Sequence, residues 1–263
     1  MSGGTEIGWA GFALSLLAVA LAAAGSWRLG LRLQRDILES SARALVQMLI
    51  AAAALGLVIG DDAPIALSWL WVAGIVLYAA NAVRRRAPEL PGIFPVALAS
   101  TAGTAAVGLG IAFGAGIFPV EGTTVVPVSA MLVGNALKSG VVAATLLRDD
   151  LATQRDQIEA RLALGLGSAA ASRPLTRRIL RTAISPQIEN IRGLGIVFLP
   201  GAMTGLILAG VDPLDAVLVQ LALMYLILGA VVVTTTLTVL GARRRMFTTD
   251  HRLRAVAREM SDE

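Results

Sequence analysis

Apolar residues along this chain come in long uninterrupted runs rather than in the short alternating bursts of strands. Seven runs stand out, at 8–27, 44–60, 65–83, 93–118, 125–147, 194–211 and 214–241. A helix crosses the hydrocarbon core of a membrane with about 20 apolar residues, so each run predicts one spanning helix. The 93–118 and 214–241 runs are longer and are expected to tilt, kink or lie partly at the interface. Trp9, Trp27, Trp69 and Trp71 fall near predicted span ends, where indole rings anchor at the interface.

The polar connections divide by charge. Arg28, Arg32, Arg35 and Arg43 lie between the first two runs, and Arg84, Arg85 and Arg86 between the third and fourth. A further set from Arg148 to Arg192 lies between the fifth and sixth, and Arg243 to Arg258 occupy the tail. The opposite connections hold Glu6, Asp61, Asp62, Glu121, Asp212 and Asp215 and no basic residue. The positive-inside rule therefore places the N-terminus outside and the C-terminus in the cytoplasm. An odd number of spans requires the same arrangement. Met1 to Ala10 contains no basic residue, so the first run reads as a span and not as a signal peptide, despite the "LAAAGS" that ends it.

Composition sharpens this picture. Of 263 residues, 56% are hydrophobic and 15% charged, with a mean hydropathy of +0.74. That charge is too sparse to cover a water-facing surface, which excludes a soluble enzyme and a disordered chain. The expected fold is an all-α, polytopic transmembrane bundle of about seven spans, one domain over 1–263. The chain has no Cys and one His, His251, in the polar tail. Thiolate sites, membrane His clusters and Ser–His triads are thereby excluded. No catalytic residue is assigned, no cofactor is expected, and the metal-ligating residues, if any, stay unspecified. The basic residues sit in membrane-flanking connections, which argues for a lipid bilayer as partner and against nucleic acid.

The 148–192 connection reads as a cytoplasmic loop, followed after the last span by a cytoplasmic tail at 242–263. Asp149 and Asp150 are N-cap candidates for a first helix carrying Leu151, Ile158 and Leu162, which Gly165 and Gly167 end. A second helix has Ser172 as cap and Pro174 in its first turn. Leu175, Ile179, Leu180, Ala183 and Ile184 form one face, Arg173, Arg177, Arg178 and Arg181 the other, and Pro186 is its expected stop. Such basic amphipathic helices either lie on anionic lipid or dock a cytoplasmic partner.

Away from the span ends, Lys138 is the one charged residue within the spans, sharing a helical face with Met131 and Asn135. It either snorkels or pairs with a carbonyl inside the bundle, or it faces a transport path. No Asp or Glu lies near mid-membrane, which weakens a proton-coupled mechanism. The stretch "IVFLPGAMTGLILAG" holds Pro200, which frees the carbonyl of Ile196, and a close-approach pair, Gly201 and Gly205, around Met203 and Thr204. It is a packing kink with a helix seam or a broken helix beside a cavity. Gln47 and Asn81 suit interhelical hydrogen bonds or a pore face. No G-x-x-x-x-G-K-[ST] phosphate loop occurs in these residues, so pumping with ATP requires a second chain.

"MLVGNALKSG" (131–140), "QIEARLALGLG" (157–167) and "LPGAMTGLILAGVDP" (199–213), with "RALVQ" (43–47) and "NAVRRR" (81–86), resemble the FetB/YbbM-like family of ABC-transporter permeases. That family includes bacterial iron-export permeases and plant aluminium-tolerance permeases, and the resemblance covers about residues 36 to 245. It implies a permease of the plasma membrane (the bacterial inner membrane), not itself an enzyme, paired with a cytoplasmic ABC ATPase as a homodimer and exporting metal ions, iron first. Glu159, Ala160 and Gly165 resemble the E-A-A-x-x-x-G loop of importer permeases; with Arg161 they are the implied coupling surface. The later I-x-L-P part of that loop is not at its usual distance. Gln47, Met131, Asn135, Lys138, Pro200, Gly201, Met203, Thr204 and Gly205 are the expected path or gate. Lys138 departs from the pattern: a cation there repels bare metal and points to an anionic, chelated or organic cargo if it faces the path. The alternatives are a stand-alone secondary transporter or channel and a membrane scaffold.

Overall fold

The computed structural model describes residues 9–58, 60, 63–196, 199–250 and 252–254. Glu6, Asp61, Asp62, His251 and Arg258, named above, lie outside the described residues. Among the described residues ten helices follow one another: α1 Trp9–Arg28, α2 Gln34–Val58, α3 Ile65–Arg86, α4 Ile93–Gly114, α5 Gly122–Thr153, α6 Arg155–Ala163, α7 Ser168–Ala171, α8 Arg173–Arg192, α9 Gly201–Leu208 and α10 Pro213–Arg245. Among the described residues an isolated β-bridge pairs Phe247 with Leu253. The chain is all-α.

Six helices are long and apolar enough to cross a membrane: α1 from Gly11, α2, α3, α4, α5 and α10. The 194–211 run, expected to be a further span, does not form one continuous helix. Gly195 is left-handed at φ +80°, and Pro200 stands at the N-cap of α9 with φ −64° and ψ 138° instead of kinking a longer helix. α9 ends after eight residues. Its stop is a Schellman turn: Gly210, at φ +90°, donates to Ile207 O and Val211 donates to Leu206 O, the pattern that a left-handed glycine permits.

The chain divides into two compact units, residues 1–63 and 64–263. In the first, α1 and α2 pack on each other, and the Ser26 hydroxyl accepts the Leu33 N–H at 3.0 Å in the turn between them. No residue of α2 is buried.

In the second unit, α5 packs on α3 and α10, and α4 packs on the same two helices. Two apolar cores stack along them. One joins Val83, Leu90, Ala97, Leu147, Leu151 and Val239 with Ile158 of α6 and Leu175 and Ile179 of α8. The other joins Val76, Leu109, Val125, Leu132, Ala136 and Leu223. Between them α4 and α10 are tied by hydroxyls: Ser100 and Thr238 are 2.9 Å apart, and Thr234 donates to Thr104 at 2.8 Å. After α10, Arg254 N–H donates to Met246 O and Thr248 N–H to Arg252 O, folding Phe247 and Leu253 back into the first core.

Two local expectations change. α5 runs on to Thr153, so Asp149 and Asp150 are in its last turns and cap no helix. α8 continues through Pro186 to Arg192. Proline forfeits one helical bond, to the carbonyl of Thr182; both residues are on the exposed side of α8, where that carbonyl is open to solvation, while Ala183 and Gln187 stay packed. Ser172 occupies the N-cap position without a side-chain cap bond; its hydroxyl donates back to Ser168 O.

Candidate functional site: a polar helix inside the bundle

One end of the second unit gathers the arginines. Arg148 Nη1 donates to Arg86 O at 3.1 Å, Arg178 of α8 grips Asp150 of α5, and a side chain at Gly92 would collide with the Arg245 guanidinium. The C-terminal ends of α3, α5 and α10 and the N-terminal ends of α4 and α8 therefore meet there. α10 starts at the opposite end, so the chain from Arg173 to Pro213 must cross the height of the unit. It does so with α8 and the short α9 and the residues that join them. α8 alone, with 20 residues, is about 30 Å long.

α8 climbs against α5 and α10 by burying Leu175, Thr176, Ile179, Ala183 and Gln187. The Arg178–Asp150 pair holds its foot, with Nε to Oδ2 at 3.1 Å. Toward its far end Gln187 and Asn190, with Leu194, meet Met131 and Asn135 of α5 and Met224 and Ile227 of α10 around a cavity of about 180 Å³. Asn135 lies midway between Gly122 and Arg148, about 20 Å from either along the helix. Its Nδ2 donates to Met131 O at 2.8 Å. The cavity thus offers amide groups and two thioethers about midway along the apolar length of α5. One helical turn beyond Met224, Gln220 is 3% exposed, and neither of its amide atoms has a hydrogen-bond partner.

The other face of α8 is charged at its two ends and carries Thr182, Ser185 and Pro186 between them. Arg178, Arg181, Ser185, Glu189 and Arg192 recur at helical spacing on it, all exposed. Glu189 accepts from Arg192 Nη1 at 2.6 Å. The outward residues of the spanning helices of the same unit are instead Leu70 and Leu77 of α3, Val107 and Ile111 of α4, and Leu218, Tyr225 and Val232 of α10. Each charge at the bilayer centre costs about 2.5–3.5 kcal/mol, so the outer face of α8 belongs against water or protein and not against lipid.

The expected path residues distribute unevenly. Met131 and Asn135 line the cavity. Lys138, one turn nearer the arginine end, is exposed and has no carboxylate in ion-pair range among the described residues. Pro200, Gly201, Met203, Thr204 and Gly205 form the start and body of α9, and no atom stands within 4 Å of a Cβ placed at either glycine. Gln47 lies exposed on α2 of the first unit. Gln187, Asn190 and Gln220 escaped the sequence reading. Glutamine four residues before Met224 in an apolar run was the available signal for Gln220; the two α8 amides were hidden behind Pro186.

The loop residues Glu159, Ala160, Arg161 and Gly165 are on α6 and its cap. Glu159 accepts from Arg155 Nε at 3.2 Å, and Arg161 Nη1 donates to Ala171 O at 3.2 Å, so both charges serve within the loop. Gly165, at φ +85°, donates to Leu162 O while Leu166 donates to Arg161 O, another Schellman end. This turn leaves Ala160 and Gly165 open and Leu164 80% exposed.

Six long apolar helices among the described residues define a multi-pass α-helical membrane protein, and within the second unit a charged helix, α8, climbs against α5 and α10. Residues 9–247 match the family described as Uncharacterised protein family (UPF0014), and the chain belongs to it. It is 33% identical over 228 residues to the UPF0014 membrane protein STAR2 of Oryza sativa subsp. japonica, covering 86% of this chain and 78% of that one. It is 30% identical to Protein ALUMINUM SENSITIVE 3 of Arabidopsis thaliana, covering 85% and 81%. To the "Probable iron export permease protein FetB" of Escherichia coli (strain K12) it is 29% identical, covering 92% and 93%. No solved structure matches the chain.

Proposed function

We propose that this chain is the permease subunit of an ABC transporter, working as a homodimer in the bacterial inner membrane and exporting metal ions, iron first. The observation that carries the reading is α8. A charged helix at membrane depth needs a watery or protein-lined side, and two copies facing each other across α8 supply one. The likeness to the FetB permease supports transport and names iron for that relative. The chain's own residues have no phosphate loop, so the driving force comes from a separate cytoplasmic ATPase.

In this reading α6 and its cap are the coupling surface. Leu164 and Ala160 project from a helix anchored by Ile158 in the core, and motion of the ATPase at that knob is passed to α5 and to the foot of α8 through the Asp150–Arg178 pair. The amide and thioether cavity gives weak, multi-site contacts of the sort that transport requires.

The test is affinity purification of the full chain in mild detergent. An ATPase chain is expected to co-elute, and the variants Ala160→Arg and Leu164→Glu are expected to lower its stimulated hydrolysis about tenfold or more while the thermal unfolding of the permease stays unchanged. Uphill flux by the purified chain alone in proteoliposomes overturns the reading in favour of a secondary transporter.

A further inference from the structure

The charges along α8 are unevenly balanced. At the arginine end Arg173, Arg177, Arg178 and Arg181, with Pro174 and Thr182, line a cleft of about 540 Å³. Asp150 neutralises Arg178. Arg173, Arg177 and Arg181 have no carboxylate in ion-pair range among the described residues. Spacing of four residues sets their Cα atoms about 6 Å apart along the helix, and like charges at that spacing repel each other. Further along, Glu189 is closed by Arg192, and the cavity beyond offers neutral amides and thioethers.

The cleft on the outward face of α8 and the cavity on its packed face favour the same cargo. A bare divalent cation meets three unbalanced positive charges at the cleft, with the uncompensated Lys138 on the adjoining α5. Among the described residues no three His, Cys, Asp or Glu side chains converge to hold it. Carboxylate and phosphate oxygens, by contrast, fit the planar fork of each guanidinium, and the amide N–H groups of Asn135, Gln187 and Asn190 are donors for the same oxygens. Basic rings select anions in other pores for this reason. We propose that the species carried along α8 is a net-negative molecule bearing carboxylate or phosphate groups, travelling by itself or as the ligand shell of a metal ion. The inference rests on the permease reading and names the form in which its cargo moves.

The test is calorimetric titration of the full chain in nanodiscs of phosphatidylcholine with citrate, inorganic phosphate, ferric citrate and Fe(II) alone. The three outward arginines are replaced together, as R173Q/R177Q/R181Q and as the matching triple Lys variant, with thermal unfolding checking that both fold. At least one anion is expected to bind the wild type, to weaken about tenfold or more in the Gln variant and to recover in part in the Lys variant. Binding of citrate or phosphate alone identifies a metal-free anion; binding of ferric citrate only identifies the chelate. The inference is overturned if no anion binds, if Fe(II) alone binds and is unaffected or strengthened by the Gln variant, or if an arginine-dependent signal appears only in discs containing phosphatidylglycerol, which marks a headgroup site. ATPase co-elution is scored separately. Stimulation by Fe(II) alone leaves the permease standing and removes the anion; anion binding without any ATPase does the reverse.

Discussion

α8 and α10 pack side by side and are built in opposite senses. Between Asp215 in its first turn and Arg243 in its last, α10 contains no charged residue, and it turns its polar groups inward: Gln220, Thr234, Thr235 and Thr238 are buried. Leu218, Tyr225, Val232 and Leu237 face out. α8 buries Leu175, Ile179 and Ala183 and shows arginines, Ser185 and Glu189 to the outside. A helix with polar groups inside and apolar groups outside is solvated by hydrocarbon; one with the reverse arrangement is solvated by water. Two neighbouring helices of one bundle are therefore suited to different solvents.

The contrast breaks most visibly when a charge is placed on each outer face. Val232→Arg, well inside α10, is expected to cost about 2.5–3.5 kcal/mol of stability, the penalty for a guanidinium at mid-bilayer. Ser185→Arg on the outer face of α8 is expected to cost under about 1 kcal/mol, as on an ordinary wet surface. Thermal or denaturant unfolding of both variants in one bilayer mimetic decides it; equal losses remove the distinction between the faces.

The foot of α8 gives a smaller and asymmetric effect. The Asp150 side chain is 8% exposed and that of its partner Arg178 58%. Arg178→Ala strands a buried carboxylate and is expected to cost about 2–3 kcal/mol, whereas Asp150→Ala leaves a guanidinium that water can solvate and is expected to cost about 1 kcal/mol. Unfolding midpoints of the two single variants measure the asymmetry. Equal costs mean that both groups are equally wet.

This contrast was only half legible in the sequence. Length and hydropathy marked the helices that lipid solvates, and the arginine pattern marked the end where Arg86, Arg148, Arg178 and Arg245 gather. The first turns of α8 were legible from Ser172 and Pro174 as a basic amphipathic helix; its continuation to Arg192 and its course along α5 and α10 were not, because a window tuned to apolar runs settles on 194–211 as the next span. Pro186 reinforced the misreading, since tertiary packing at Ala183 and Gln187 outweighs its local preference. The Met131–Asn135 face was visible as a spacing on one helix. Its partners Gln187, Asn190 and Met224 come from two other helices, and no spacing within one helix says which side chains of another it meets. The hydroxyl pairs Ser100–Thr238 and Thr104–Thr234 are hidden for the same reason.

The smallest expected effect is also the most discriminating about what lies outside α8. Glu189 and Arg192 form an ion pair with side chains 60% and 70% exposed. In water such a pair is worth about 0–1 kcal/mol and is screened by salt, so Glu189→Gln is expected to shift stability by less than about 0.5 kcal/mol at moderate ionic strength. The same substitution in a dry setting strands Arg192 without its counter-charge and costs about 3–5 kcal/mol. Unfolding of the assembled protein, with and without added salt, separates the two. A large, salt-insensitive loss places a close-packed apolar surface against this turn of α8 and closes the aqueous route there, whereas a small, salt-sensitive one keeps water beside the helix to the level of the amide cavity.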